Sequence, residues 1–355
     1  MLDFVKIQNY RLFDEFMIDD LARVNLLVGK NNVGKTSLLE AIYLLVNQKY
    51  PPVIYQLLGQ RGEIAANING EDTISGHDVA HLFGKHILDK DISFIIESSQ
   101  LKFELSCVHK AVIAPKSILG LDSIKNNTNE IYHLHFIYNN IGPILERIEN
   151  NNPFGDLITL GRGVPEDIES FNYIPIMQLS VTTLYQHWIN IALKPEQDQL
   201  LEILRLLDEK IIDIDFIAQR NEKPKILVRH EQHKMPIPLG SMGEGMHRAL
   251  TLGLMLVNSA NGYLLIDEID TGLHYRVITD IWQVIFKVAK QYNIQVFATT
   301  HSQDCVRSFA EALYLSEERE LGALFRLQRR RGKIHAQKYN ADRLVFAVSQ
   351  DIEIR

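Results

Sequence analysis

A glycine-rich loop near the start of the chain most constrains how this sequence can fold. Residues 29–36 read GKNNVGKT, which fits the pattern G-x-x-x-x-G-K-[ST]. The loop follows the apolar run VNLLV at 24–28 and precedes TSLLEAIYLLVN, whose apolar residues have helical spacing. The backbone N–H groups of such a loop and the N-terminus of the following helix attract anions. The sequence therefore predicts a strand–loop–helix unit that binds the phosphates of a nucleotide, rather than a surface glycine turn.

The positions of this loop have different expected roles. The Lys35 amine is expected to reach the β- and γ-phosphates, and the Thr36 hydroxyl to bind Mg²⁺. The glycines let the backbone wrap closely around the phosphates. The residues expected to contact the nucleotide are Asn31, Asn32, Val33, Gly34, Lys35, Thr36 and Ser37.

A second stretch, YLLIDEIDTGLH at 263–274, places acids directly after an apolar run. Carboxylates in such a position are costly unless a positive partner meets them. In P-loop NTPases an aspartate that ends a neighbouring strand holds Mg²⁺, so Asp267 is the expected metal ligand beside Thr36. Glu268 is expected to orient or deprotonate the attacking water. The alternative is a strand that simply ends in acidic residues. With the loop at 29–36, the pattern implies ATP and Mg²⁺ as cofactors.

The remaining patterns predict an α/β protein with a large insertion. Alternation of apolar and polar residues over 91–138 predicts an antiparallel sheet. Residues 181–217 are predicted to be helical, with Asp213-Ile214-Asp215 at the end of an amphipathic helix. From residue 243, helices alternate with the short apolar runs YLLIDE and IQVFATT, which predicts buried parallel strands.

These patterns suggest one domain over residues 1–355. Residues 1–47 and 239–355 are expected to form the nucleotide-binding core, and residues 48–238 an inserted antiparallel β lobe and a helical lobe. A basic hairpin, ALFRLQRRRGKIHAQ, and a final helix are predicted to close the chain.

The composition limits the kinds of partner that this protein is expected to have. The formal net charge is −7, so the overall charge does not indicate DNA binding, although a local basic surface remains compatible with it. No apolar run approaches 18 residues and the N-terminus lacks the features of a signal peptide, which argues against a membrane partner. The two cysteines lie far apart without metal-ligand spacing. We therefore expect a cytoplasmic location.

Three further motifs carry a family resemblance. Residues 241–245 read SMGEG and open the helical segment MHRALTLGLMLV, which resembles the ABC signature motif, although an ordinary N-capped helix would also fit. DTGLH at 270–274 is placed like a D-loop, and His301 in ATTHS like a switch histidine. The motif order is Lys35, Ser241, Asp267, Glu268 and His301. In this order the chain resembles the ABC-type ATPase heads of the SMC, RecF and OLD families, and most of all the stand-alone prokaryotic AAA ATPases of the OLD-like group.

The resemblance implies an ABC-type P-loop NTPase head with a mixed or parallel sheet core. It also implies that the signature helix of one subunit caps the γ-phosphate bound to the other, which makes Ser241, Gly243 and Glu244 nucleotide-contacting residues. Asp270 would contact the opposite subunit's nucleotide site, and His301 would sense the γ-phosphate.

Two weaker placements depend on the same resemblance. Arg11, in QNYRLF, sits like the nucleotide-contacting arginine of SMC-like heads, with a surface arginine as the alternative. Gln178 sits like the glutamine of a Q-loop. Many relatives end the D-loop in Leu-Asp, whereas this chain has Leu273-His274.

The main hypothesis is an ATP-binding and ATP-hydrolysing switch that forms a homodimer through a nucleotide sandwich. It would control a separately encoded effector, such as a TOPRIM-type nuclease in anti-phage defence, and we expect no TOPRIM domain here because only 54 residues follow His301. The alternatives are a RecF-like DNA-binding ATPase of genome maintenance, with phosphate contacts from the basic hairpin, and a nucleotide-gated scaffold with negligible hydrolysis.

Overall fold

The fold is described from a computed structural model of the 355-residue chain. The described ranges are 1–48, 53–63, 79–84, 92–111, 130–138, 141–149, 171–218, 223–316, 318–350 and 352–354.

A six-stranded mixed sheet forms the core. In spatial order its strands are β15 (Lys333–Tyr339), β14 (Gly322–Arg330), β3 (Val24–Val28), β13 (Gln295–Thr300), β12 (Tyr263–Ile266) and β8 (Phe171–Ile174). From β14 to β8 all neighbours are parallel, and only β15 runs antiparallel to its neighbour. Every residue of β3, β12 and β13 is buried, as expected for parallel strands covered on both faces.

A second six-stranded sheet is antiparallel, which confirms the antiparallel sheet predicted over residues 91–138. In spatial order its strands are β2 (Phe13–Ile18), β1 (Val5–Tyr10), β4 (Ile92–Glu97), β5 (Lys102–Ala111), β6 (Glu130–Tyr138) and β7 (Ile141–Glu149). The last strand was not predicted from the sequence, since Pro143 and neighbouring asparagines interrupt the strand-like pattern.

Helices flank the core sheet. They are α1 (Lys35–Val46), α2 (Val53–Gln60), α3 (Val181–Ile191), α4 (Glu196–Leu207), α5 (Glu244–Val257), α6 (Tyr275–Gln291), α7 (Gln303–Leu315) and α8 (Ala341–Ser349). Within the described part of the chain, no helix is both long and apolar enough to span a lipid bilayer.

A small three-stranded sheet corrects one prediction. Its strands are β9 (Ile211–Ile217), β10 (Lys225–His230) and β11 (Ile237–Pro238). Asp213 and Asp215 therefore lie in a strand and not at the end of a helix, and Asp213 forms an ion pair with Arg229 on the paired strand. The sequence was misleading because Ile211 and Ile214 are three residues apart, a spacing that also fits a helix.

Two apolar cores lie on the two faces of the core sheet. One face, which includes Leu26, packs against α3 to α8. The other face, which includes Leu27, packs against α1 and strands β1, β2, β4 and β5 of the antiparallel sheet. The alternation of Leu26 and Leu27 between the two cores shows how one buried strand serves both layers.

Sheet membership crosses the boundaries expected from the sequence. Strand β8 falls within residues 48–238, the expected insertion, but it forms an edge of the core sheet. Strands β1 and β2 fall within residues 1–47, the expected core, but they belong to the antiparallel sheet. Strand pairing, which involves partners far apart in the chain, decides this membership.

Candidate functional site

The glycine-rich loop, the acidic strand end and His301 meet at one edge of the core sheet. Strands β3, β12 and β13 are parallel neighbours, so their carboxyl ends face the same way. The loop at 29–34 follows β3, Asp267 follows β12, and His301 follows β13. Ligands of open α/β sheets bind at this kind of edge.

The loop itself requires its glycines. Gly34 has φ +94° and Gly29 has φ +151°, and both lie in close contact with other segments. A Cβ atom on Gly29 would lie 2.5 Å from the carbonyl oxygen of Leu327. A Cβ atom on Gly34 would lie 3.0 Å from Phe13 Cζ and 3.5 Å from Ile334 Cδ1. The loop is therefore held between the start of β2 and the β14–β15 hairpin.

Lys35 lies folded back over this loop. Its Nζ donates hydrogen bonds to the carbonyl oxygens of Gly29, at 2.8 Å, and Lys30, at 3.3 Å. Burial lowers the pKa of the Lys35 amine, and the nearby carboxylates of Asp267 and Glu268 oppose that shift. The two carbonyl oxygens are neutral acceptors. A phosphate in the loop would therefore give this buried cation an anionic partner.

The Thr36 hydroxyl and the Asp267 carboxylate are brought together from positions 231 residues apart. Thr36 Oγ1 donates to Asp267 Oδ2 at 2.9 Å, and Thr299 Oγ1 donates to Asp267 Oδ1 at 2.5 Å. A hydroxyl and a carboxylate beside a phosphate loop are the oxygen donors that Mg²⁺ uses in nucleotide sites. The described residues contain no group of three or more acidic, His or Cys side chains arranged for a metal. The donor set thus fits a metal shared with phosphate oxygens.

Glu268 occupies a strained backbone position with a fixed orientation. Its φ is +50°, a left-handed conformation that non-glycine residues adopt at a cost. Its N–H donates to Thr299 Oγ1 at 2.9 Å, and its carboxylate is hydrogen-bonded to His301 Nδ1. The structure therefore pairs the two side chains expected to act at the γ-phosphate. Asp270 lies close by and accepts a 2.6 Å hydrogen bond from Thr300 Oγ1.

Arg248 joins helix α5 to this acidic strand end, and sequence reasoning missed it. The side chain is buried on α5, and its guanidinium donates to three backbone carbonyl oxygens. These belong to Pro175 at 3.0 Å, Asp267 at 2.8 Å and Glu268 at 3.0 Å. An arginine on the buried face of an amphipathic helix was the available signal, because a buried charge needs partners.

The segment predicted to be a signature motif, Ser241–Gly245, lies on the surface. Ser241 is exposed in a short 3₁₀ helix, and Gly243, with φ +90°, precedes the first residue of α5, the exposed Glu244. Among the described residues, no hydrogen bond joins Ser241–Gly245 to the phosphate loop of the same chain. A Cβ atom on Gly245 would lie 2.8 Å from the carbonyl oxygen of Gly272, so the start of α5 packs directly on the segment at 270–274.

Arg11 is engaged by carboxylates rather than open to solvent. The side chain is buried, with its Nε 3.0 Å from Glu40 of α1 and its Nη1 2.9 Å from Glu63. Burial raises the pKa of the Glu40 carboxyl, and Arg11 and Arg61 oppose that shift. A direct nucleotide contact by Arg11 would need an exchange of these partners.

Gln178 and His274 also have defined places. Gln178 is exposed four residues after β8, at the carboxyl edge beside β12. His274 is the N-cap of α6, and its Nδ1 accepts a hydrogen bond from the Arg276 N–H at 3.4 Å. Aspartate is a stronger N-cap than histidine. His274 therefore still caps the helix in place of the aspartate of many relatives, but more weakly.

Two family descriptions match the chain. Residues 1–152 match the family described as "AAA ATPase domain". Residues 122–304, more than half of the chain, match the family described as "AAA domain, putative AbiEii toxin, Type IV TA system". The second match includes Asp267, Glu268 and His301.

Individual relatives agree with this assignment. An ATP/GTP phosphatase of Helicobacter pylori (strain ATCC 700392 / 26695) is 28% identical over an alignment of 334 residues that covers 86% of each chain. The DNA replication and repair protein RecF of Staphylococcus carnosus (strain TM300) is 44% identical over 48 residues, 14% of this chain and 13% of RecF. The fold resembles an SMC head solved with the C-winged helix domain of ScpA, with TM-score 0.50 and 12% identity over 96% and 97% of the two chains.

Proposed function

Because this chain belongs to the AAA domain family and is an ATPase of SMC/RecF-like type, we propose that it is an ATP-driven switch that closes as a homodimer. The observation that carries the proposal is the meeting of Lys35, Thr36, Asp267, Glu268 and His301 at one sheet edge.

Each group in the cluster has a role in the proposed reaction. The backbone of the loop and Lys35 bind the phosphates, while Thr36 and Asp267 would hold Mg²⁺, which would offset the charge of the phosphates. Glu268 orients a water molecule and accepts its proton as the water oxygen attacks the γ-phosphorus. The bond from the γ-phosphorus to the bridging oxygen breaks, and ADP and phosphate leave. His301 keeps the Glu268 carboxylate in place.

The exposed signature segment supports a second copy of the chain as the partner. A helix N-terminus with a hydroxyl and a glycine at its start is an anion site. Because Ser241, Gly243 and Glu244 make no hydrogen bond to the loop of their own chain in the described structure, they are available to cap the γ-phosphate held by another copy. Asp270 would take part in the same seam. Closure and opening would then change what the other lobes present to a separately encoded effector, for which we propose a TOPRIM-type nuclease in anti-phage defence.

The test separates binding from hydrolysis. Glu268→Gln keeps the size of the side chain but removes the base, so we expect the variant to bind ATP and dimerise while turnover falls by about 100-fold or more. Light scattering after size exclusion, with ATP and with ADP, measures the dimer, and phosphate release measures turnover.

Glu311→Gln, an exposed change on α7, serves as the matched control and should behave like the wild type. Unchanged turnover in Glu268→Gln would remove Glu268 from its role. A monomer at saturating ATP would refute the sandwich, and turnover indistinguishable from background in the wild type would favour a nucleotide-gated scaffold.

A further inference from the structure

The turn of the β14–β15 hairpin lies beside the phosphate loop and carries four basic side chains. We call it the basic turn; its cations are Arg329, Arg330, Arg331 and Lys333. Strand β14 runs parallel to β3, with Arg326 opposite Val28, and then continues for four more residues. The hairpin therefore extends past the end of β3, along the edge where the phosphate loop lies.

The hairpin touches the loop on one face. Leu327 and Ile334 belong to the apolar core that also covers α1, and both lie against the loop glycines. Arg329 is paired directly across from Ile334, so the two side chains share that face. Directly paired residues have Cβ atoms about 5 Å apart. The Arg329 side chain is therefore long enough to reach the space beside the phosphate loop.

Arg330 provides a contrast within the same strand. It pairs with Lys333, and successive residues of a strand point to opposite faces. Arg330 and Lys333 therefore lie on the face away from the loop glycines, although both are as solvent-exposed as Arg329.

The charges of the basic turn are not balanced within the described structure. Exposed cations elsewhere pair with carboxylates, as in Lys287 with Glu202 at 2.8 Å. Of the residues whose positions are described, none offers a carboxylate to any cation of the basic turn. In a chain of net charge −7, four neighbouring cations without an acidic partner indicate an anionic ligand.

The direction of the nucleotide follows from the order of the strands. The groups for the γ-phosphate, Asp267 and Glu268, follow β12, which lies beyond β13 on one side of β3. A nucleotide with its terminal phosphate there and its other phosphates on the loop extends across the end of β3. The strand next to β3 on the opposite side, away from β13, is β14. The ribose end of the nucleotide is thus directed toward the basic turn.

We propose that the face of the basic turn that carries Arg329 forms the wall of the nucleotide site on the α-phosphate and ribose side, with Arg329 donating hydrogen bonds to the nucleotide. This inference rests on the proposed ATP site at Lys35. It assigns this face of the basic turn to nucleoside triphosphate binding, whereas a basic hairpin on a RecF-like protein would otherwise be assigned to nucleic acid.

The experiment compares Arg329→Ala with Arg330→Ala at about 0.15 M salt, where long-range charge effects are screened. Calorimetry gives the Kd for ATP, and phosphate release gives kcat and KM. Arg329→Ala is expected to raise Kd and KM by about 10-fold, the effect of one lost charge-assisted hydrogen bond, with kcat within about 2-fold of the wild type. Arg330→Ala is expected to change each value by less than about 2-fold.

Lys35→Ala distinguishes the two levels of inference. If Lys35→Ala binds ATP like the wild type, the proposed ATP site is wrong. If Lys35→Ala loses ATP binding but Arg329→Ala keeps the wild-type Kd, only the role of the basic turn is refuted. An equal loss of affinity in the two arginine variants would also refute it, as would normal ATP binding with a shared loss of affinity for a duplex DNA oligonucleotide.

Discussion

Replacement of Arg248 tests whether helix α5 holds the acidic end of β12 in place. Arg248→Met keeps the length of the side chain and removes its three hydrogen bonds to the carbonyl oxygens of Pro175, Asp267 and Glu268. Hydrogen bonds from a charged donor contribute about 1.5 kcal/mol or more each, so the gross loss is about 4.5 kcal/mol. Burial lowers the pKa of Arg248, because the guanidinium is partly desolvated. The methionine variant does not bear this desolvation cost, which offsets part of the gross loss. We expect a net decrease of about 3 kcal/mol in the free energy of unfolding.

The change should also act on the reaction. The carbonyl of Glu268 would lose its partner, and the left-handed backbone at this residue would lose one of its constraints. We expect kcat to fall by about 10-fold, which corresponds to about 1.4 kcal/mol of transition-state stabilisation. The affinity for ATP should stay within about 3-fold of the wild type, because the proposed site binds the phosphates through the loop and Lys35.

Urea unfolding followed by circular dichroism measures the stability, and phosphate release with calorimetry separates turnover from binding. Arg307→Met, on the exposed side of α7, is the matched control and should leave both quantities unchanged. Arg248→Lys should be intermediate, since an ammonium cannot reproduce the planar fork of a guanidinium. If Arg248→Met had the same free energy of unfolding and the same kcat as Arg307→Met, Arg248 would not hold the acidic strand end in place.

Two further predictions concern the phosphate loop and the pH dependence of stability. Gly34→Ala places a Cβ atom 3.0 Å from Phe13 Cζ at φ +94°, so we expect the Kd for ATP by calorimetry to rise by at least about 10-fold, and an unchanged Kd would contradict the close packing of the loop. Burial lowers the pKa of His187, so the folded state favours the neutral ring, and the stability it contributes is present above about pH 6.5 and is lost as the pH falls. Relative to His187→Gln, the wild type should lose free energy of unfolding in urea titrations between about pH 7.5 and about pH 5.5, and parallel curves would refute this.

The sequence by itself determined the elements that depend only on residues adjacent in the chain. The phosphate loop is one continuous segment, because the strand at 24–28, the glycines and the first turn of α1 are adjacent in the chain. The acids at 267 and 268 and the histidine at 301 could be predicted as strand-end residues for the same reason. Local patterns failed in β9, where the spacing of the isoleucines also fits a helix. They also failed in β7, where proline and asparagine residues interrupt the strand-like pattern.

Only the tertiary structure decided which of these residues meet. The hydrogen bond between Thr36 and Asp267 spans 231 residues, and it exists because β3, β13 and β12 lie side by side. Thr299 and Arg248 gained their contacts with the acidic strand end in the same way. The place of the basic turn beside Gly29 and Gly34 also follows from the pairing of β14 with β3. Periodicity in a sequence specifies which face of an element is buried, but the order of strands in a sheet depends on long-range pairing that no local pattern encodes.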